Sequence, residues 1–291
     1  MATLRDIRRK IAAVKKTQQI TRAMNMVASA KLRGAQERMQ GFRPYAEKYA
    51  EVARSVAQRV DADAHPLLVR REVKRVAILL MTADRGLCGS FNTNLITRAD
   101  KEAKDRAAKG QEVCFFLVGR KGRDFFRRHK KDIRAAYVDN RKVTYDLASR
   151  IAEDVITAYV QEQVDEVVLI YSRFINLGIQ RPHLLSLLPF AVPEAATDAQ
   201  PAPGGVDYLY EPEPHILLEA ILPEQVRVQV YRALLETNTS EQAARMTAMD
   251  NATRNCKDMI ERLTLIYNKA RQASITKELM DIVGGAEALK T

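Results

Sequence analysis

Between Glu224 and Val283 the chain contains neither proline nor glycine. Along that stretch Met249, Ala252, Cys256, Met259, Leu263, Ile266, Ala270 and Ala273 recur at alternating steps of three and four. Such a seam predicts one long helix that lies along a second long helix. Pro223 suits a first helical position and Gly284-Gly285 an exit. At ~1.5 Å per residue this helix would be roughly 90 Å long, too long to fold back into one globule, so it is expected to project.

A second long pattern occupies residues 3–58. Thr3 with Asp6 has the spacing of a capping box. Leu4, Ile7, Ile11 and Val14 set an apolar seam. Its phase then slips to Ile20, Met24 and Val27, followed by Leu32, Ala35, Met39 and Phe42. Gly34, Gly41 and Pro44 are expected to bend or loosen the helix.

Between the two patterns the period changes. Apolar runs at Val76–Thr82, Val113–Val118 and Val167–Tyr171 alternate with helix-like stretches at about Thr93–Ala108, Gly119–His129 and Thr144–Gln161. Strands alternating with helices predict a parallel α/β sheet. The run Ile179–Leu188, reached through the turn Asn176-Leu177-Gly178, adds an antiparallel edge strand. Residues 61–75, around His65-Pro66, read as a linker. Residues 193–210, with Pro193, Pro201, Pro203 and Gly204-Gly205, read as another. A short helix near Pro214–Leu222 then feeds the long one. The domains expected are a helix over 1–60, a linker over 61–75, an α/β domain over 76–192, a linker over 193–210 and a helix over 211–291. Because one long helix enters the α/β domain and the other leaves it, paired seams must run antiparallel.

Charge adds an asymmetry. The formal net charge is +11, and residues 1–60 alone hold 14 Lys/Arg against 4 Asp/Glu. Arg8, Arg9, Lys15, Lys16, Lys31 and Arg33 fall mostly off the apolar stripe. They are either a solvated face or a face for an acidic partner such as nucleic acid, anionic lipid or protein. Three scattered cysteines (Cys88, Cys114, Cys256) and four scattered histidines give no disulfide framework and no zinc or other metal spacing. No apolar run reaches the length of a membrane span, and no signal-peptide pattern is present.

Candidate chemistry is sparse. The stretch Thr82-Ala83-Asp84-Arg85-Gly86-Leu87-Cys88-Gly89-Ser90-Phe91-Asn92 follows a strand and opens a helix, where a glycine-rich loop can cradle phosphate. It matches neither GxGxxG nor the ending of a P-loop, so a tight structural turn is the favoured reading. No nucleophile–base set and no paired carboxylates stand out, which argues against catalysis by this chain alone. Near the C-terminus Arg271, Gln272, Thr276 and Glu278 are polar groups suited to hydrogen bonding, and a solvated helix face fits them equally well.

Several segments in order carry a family resemblance. They are Ile20-Thr21-Arg22-Ala23-Met24-Asn25-Met26-Val27-Ala28 with Ala30-Lys31-Leu32, Arg43-Pro44-Tyr45, and Asp84-Arg85-Gly86-Leu87-Cys88-Gly89. The last helix adds Ala243-Ala244-Arg245-Met246, Ala248-Met249 and Asn251-Ala252-Thr253. It continues with Leu263-Thr264-Leu265-Ile266-Tyr267-Asn268, then Arg271-Gln272-Ala273-Ser274-Ile275-Thr276 and Ile282-Val283-Gly284-Gly285. Over nearly its whole length the chain resembles the gamma subunits of F-type ATP synthases.

The resemblance implies an antiparallel two-helix coiled coil with a Rossmann-like α/β domain inserted between its helices. It implies a non-catalytic rotor without cofactor, nucleic-acid partner or membrane span. Its partners would be the alpha and beta subunits around the shaft, with the epsilon subunit and the membrane c-ring at the domain end. By position, Met24 would pass the beta subunits' acidic lever loops. Arg271 and Gln272 would contact a beta-subunit loop, with Thr276 and Glu278 beyond. The inserted regulatory segment of the photosynthetic forms is missing. With no transit segment before Thr3, the expected place is the cytoplasmic face of a bacterial inner membrane. A basic coiled-coil nucleic-acid binder is the alternative, although no stacking aromatics or groove-reading module accompany the charge.

Overall fold

The element order is α1 (Leu4–Ala57), β1 (Arg75–Met81), α2 (Phe91–Ala108), β2 (Glu112–Val118), α3 (Arg120–Arg128), β3 (Asp132–Tyr137), α4 (Tyr145–Val160), β4 (Glu166–Phe174), β5 (Gln180–Leu188) and α5 (Pro214–Ala288). These come from a computed structural model that describes residues 3–60, 64–140, 142–190, 211 and 213–288. The linker expected over 193–210 lies outside the described residues. The chain divides into two compact units, one of Met1–Ser29 with Arg245–Thr291 and the other of Ala30–Ala244.

In the larger unit the strands form one sheet in the order β3-β2-β1-β4-β5. The first four are mutually parallel, and β5 pairs antiparallel with β4, as the turn at Asn176 required. Adjacent residues of β1 face opposite sides of the sheet. Ala77, Leu79 and Met81 join a core with Ile151, Val155 and Tyr159 of α4 and Leu222, Val226 and Val230 of α5. Ile78 and Leu80 join a second core with Leu95 and Ala99 of α2 and Phe126 of α3. Each such fully buried aliphatic or aromatic side chain contributes about 1.5–3 kcal/mol.

Strand β3 was not anticipated. Its sequence, Asp-Ile-Arg-Ala-Ala-Tyr, carries two charges and sits at the sheet edge, where only Tyr137 is buried. An edge strand needs little apolar content, and charges on it discourage pairing with other chains.

The helices depart from their expected limits. The α5 helix begins at Pro214 and runs through Pro223 without a break to Ala288, beyond the expected exit at Gly284-Gly285. Helix α1 continues through Gly34, Gly41 and Pro44. Pro44 is exposed, so the carbonyl its ring leaves unbonded can take a water instead. At the start of α1 the capping box forms. Thr3 Oγ1 donates to Asp6 Oδ2 at 2.7 Å and the Asp6 amide donates to Thr3 Oγ1 at 3.2 Å. Those bonds hold the Asp6 carboxyl below its ordinary pKa.

The smaller unit corrects the seam assignments. On α1 the phase does not slip, for Ile20 and Val27 are more than half exposed while Ile7, Thr21 and Ala28 are buried seven residues apart. On α5, Met249 is buried and Cys256, Ile260, Leu263, Tyr267, Ala270 and Ser274 are half-buried. Met259, Ile266 and Ala273, expected on the seam, are exposed. The positions Met249, Cys256, Leu263 and Ala270 were therefore placed correctly, and their companions lie one residue later than expected. A step of four departs from a full turn by roughly 40° and a step of three by roughly 60° the other way, so either companion position can face a partner.

Candidate partner-binding surfaces

Within the smaller unit two polar contacts join the helices. The Thr21 and Thr253 hydroxyls lie 2.8 Å apart in a hydrogen bond, and Asn25 Nδ2 donates to the Met246 carbonyl at 2.9 Å. Apolar contacts tolerate sliding, whereas a polar pair at a seam fixes one axial register. Thr21 and Asn25 are what carries the seam across the stretch where apolar periodicity lapses.

Met24 is half-buried beside Asn25. Arg271, Gln272, Thr276 and Glu278 are all exposed. They do not converge on one point. Arg271 and Glu278, seven apart, share one side of α5, whereas Gln272 and Thr276, four apart, share another. The Glu278 carboxylate accepts from Ser274 Oγ at 3.2 Å within its own helix. Arg8, Arg9, Lys15, Lys16 and Lys31 are exposed with no acidic partner among the described residues. Arg33 Nε lies 3.3 Å from Glu37 Oε1, an exposed pair of little energetic weight.

The larger feature of this unit was not anticipated. Eleven of the eighteen large exposed apolar side chains found among the described residues lie in it. On α5 they are Met259, Leu265, Ile266, Ile275, Leu279, Met280, Ile282 and Val283. On α1 they are Ile20, Met26 and Val27. Contiguous exposed apolar surface marks a place where another molecule belongs. The sequence carries the signal as apolar residues in excess of what one seam can bury. Assigning Met259 and Ile266 to the seam hid it.

In the larger unit the loop after β1 spends its polar groups on itself. Asn92 Oδ1 accepts from the Ala83 amide at 2.9 Å, Asp84 Oδ1 from the Arg120 amide at 2.9 Å, and Thr82 Oγ1 from the Gly122 amide at 2.9 Å. Gly119 has φ 92°, and a Cβ there would stand 2.1 Å from the Thr82 carbonyl oxygen. Amides that could otherwise cradle a phosphate at this helix start are therefore engaged, and the segment is a tight turn. Among the described residues no three His, Cys, Asp or Glu side chains gather as a metal site. No helix is long and apolar enough to cross a membrane.

Comparisons with known proteins agree on one family. The family model described as ATP synthase matches residues 3–289. The ATP synthase gamma chain of Nitratidesulfovibrio vulgaris (strain DSM 19637 / Miyazaki F) is 54% identical over 293 residues, covering 100% of both chains. That of Syntrophus aciditrophicus is 52% identical and covers 99% of both. Among solved structures, a chain of the Tetrahymena thermophila mitochondrial ATP synthase central stalk and c-ring is 27% identical with a TM-score of 0.61. It covers 80% of this chain and 99% of its own. A chain of the Euglena gracilis mitochondrial enzyme has a TM-score of 0.69 at 20% identity, over 98% of this chain and 94% of its own, a likeness of fold.

Proposed function

We infer the role of this chain from one premise: it belongs to the ATP synthase gamma-chain family. It is the central-stalk subunit of an F-type ATP synthase, and it is not itself catalytic. Its partners are the alpha and beta subunits, the epsilon subunit and the c-ring, and it joins the membrane as a peripheral part of that complex. The nucleic-acid reading of the basic first helix finds no support in this family.

The finer assignments are our reading. The helices of residues 1–60 and 211–291 serve as the shaft, and the α/β domain of residues 76–192 serves as the foot, on the cytoplasmic face of a bacterial inner membrane. The observation that carries the shaft role is the open apolar surface of Met259, Leu265, Ile266, Ile275 and Leu279. A rotor inside a ring needs contacts whose energy changes little with angle. Apolar contact is non-directional and meets that need. It also needs a few contacts that do depend on angle. Charge-assisted hydrogen bonds from Arg271, with Gln272, Thr276, Glu278 and Met24 nearby, are directional and supply holding points. The cations Arg8, Arg9, Lys15, Lys16, Lys31 and Arg33 would guide acidic loops of the beta subunits. The polar locks at Thr21–Thr253 and Asn25–Met246 keep the two helices from sliding as torque passes along them.

The test is assembly with the alpha and beta subunits of the same host. The expected result is one complex whose ATP hydrolysis drives proton pumping when joined to the membrane sector, while the free chain hydrolyses nothing. A chain that fails to enter the complex, or that hydrolyses ATP alone, would overturn the reading.

A further inference from the structure

Strand β5 is the outer strand of the sheet, and its pairing with β4 is irregular. Leu188 pairs with Val167 but Ser186 pairs with Val168, so Leu187 is an extra residue on β5. A bulge bends a strand away from its neighbour's regular surface. Beside this one lies a cleft of about 160 Å³ whose walls include Leu185, Leu187, Phe190 and Val226, with Arg54 exposed at its rim. Gln225 also forms part of the wall. Its side chain is 2% exposed, and its Oε1 is buried with no hydrogen-bond donor. Leaving such an acceptor unpaired costs more than the bond itself yields in water, so a buried orphan calls for a donor from elsewhere.

The volume and the chemistry together select an occupant. An apolar space near ~150 Å³ is the size that takes one benzene ring. The orphan acceptor adds the need for a single donor at the ring's edge. We propose that this cleft binds a phenol ring, with the ring against Leu185, Leu187, Phe190 and Val226 and the hydroxyl donating to Gln225 Oε1. A free phenol and a tyrosine side chain of another protein present the same group. The proposal does not depend on the central-stalk role, since all its residues lie in the unit of residues 30–244.

The experiment uses the purified full chain with p-cresol, toluene and the peptide acetyl-Thr-Tyr-Val-amide, followed by saturation-transfer NMR and thermal shift. The expected result is p-cresol binding roughly tenfold more tightly than toluene, the difference one buried hydrogen bond makes. Gln225→Leu should abolish that preference while preserving the fold, since it replaces an unpaired polar group with an apolar one of similar size. Ala50→Leu, on the cleft wall, should abolish binding of both with unchanged circular dichroism. A peptide affinity above that of p-cresol assigns the site to a partner's tyrosine, and binding of p-cresol alone assigns it to a small phenol. Absence of any binding, equal binding of toluene and p-cresol, or a preference that survives Gln225→Leu overturns the proposal.

Discussion

In the unit of residues 30–244, Ile78, Leu79 and Leu80 on β1 are wholly enclosed by their own chain. In the unit of residues 1–29 and 245–291, Leu265, Ile275 and Leu279 are more than half exposed, and only Ile7, Thr21, Ala28 and Met249 are buried. The first unit has helices on both faces of a sheet and therefore two apolar cores. The second has two helices, and a pair of helices can bury only one stripe from each. Its remaining apolar surface has nothing within the chain to cover it. One unit is thus built to hold its own shape, and the other is built to be completed by neighbours.

The strongest way to break this comparison is to charge each unit where it is supposed to be self-sufficient. Leu79→Asp places a carboxylate between fully buried neighbours in the central strand. We expect a loss of more than about 4 kcal/mol, enough to abolish cooperative thermal unfolding of the sheet unit. A variant that melts like the natural chain would mean that this core is not what stabilises it.

Thiol chemistry sharpens the same contrast without mutation. Cys114 lies buried on β2, and burial pushes its thiol up to about 11. Cys256, in the helix pair, is half-buried. The thiolate is the reacting form, so below about pH 11 the alkylation rate of Cys114 should rise about tenfold per pH unit. At pH 8 Cys256 should react at least about 100-fold faster, as read by mass spectrometry of the intact and digested chain. Equal rates would show that the sheet unit opens readily.

How much of this was legible in the sequence follows from the same physics. Strands β1, β2 and β4 are buried on both faces and announce themselves as continuous apolar runs. Strand β5 was found from its turn. Strand β3 was silent because an edge strand with Asp132 and Arg134 buries too little to leave a pattern. The seam of the helix pair was half legible. Met249, Cys256, Leu263 and Ala270 repeat every seven residues, but whether Met259 or Ile260 completes the seam depends on which way the partner helix leans. The polar members Thr21 and Asn25 are invisible to any reading that counts apolar positions. Arg271, Gln272, Thr276 and Glu278 came from resemblance alone, since exposed polar residues on a helix have no pattern of their own.

That corrected seam has a direct consequence. Leu263→Asp should cost about 1–3 kcal/mol, because Leu263 is half-buried on the seam, and Ile266→Asp should cost less than about 0.5 kcal/mol in the free chain. In assembly the order should reverse in kind, with Ile266→Asp impairing entry into the alpha/beta ring despite an intact fold. Circular dichroism melts beside co-purification measure both. If the two variants destabilise the free chain alike, Ile266 is on the seam after all and the exposed stripe loses one of its members.

The smallest effect on the free chain is expected at Arg271 and Gln272. Both are exposed on α5, and neither makes a hydrogen bond or ion pair among the described residues. Replacing them with alanine removes no packing and slightly favours the helix, so the stability of the free chain should change by less than about 0.5 kcal/mol. In the assembled complex the same guanidinium can meet a passing subunit, where a charge-assisted hydrogen bond shielded from water is worth about 1.5–3 kcal/mol. A contact of that size holds one angle of the shaft for a time without locking it. The double variant Arg271→Ala/Gln272→Ala is therefore expected to retain its melting curve and its ability to assemble, while steady-state ATP hydrolysis by the complex falls severalfold. Full activity would make the pair ordinary surface residues. A matching loss of helix content and activity would place their role inside the helix pair, and the contrast between a unit that is complete and one that is completed by others would no longer extend to its polar groups.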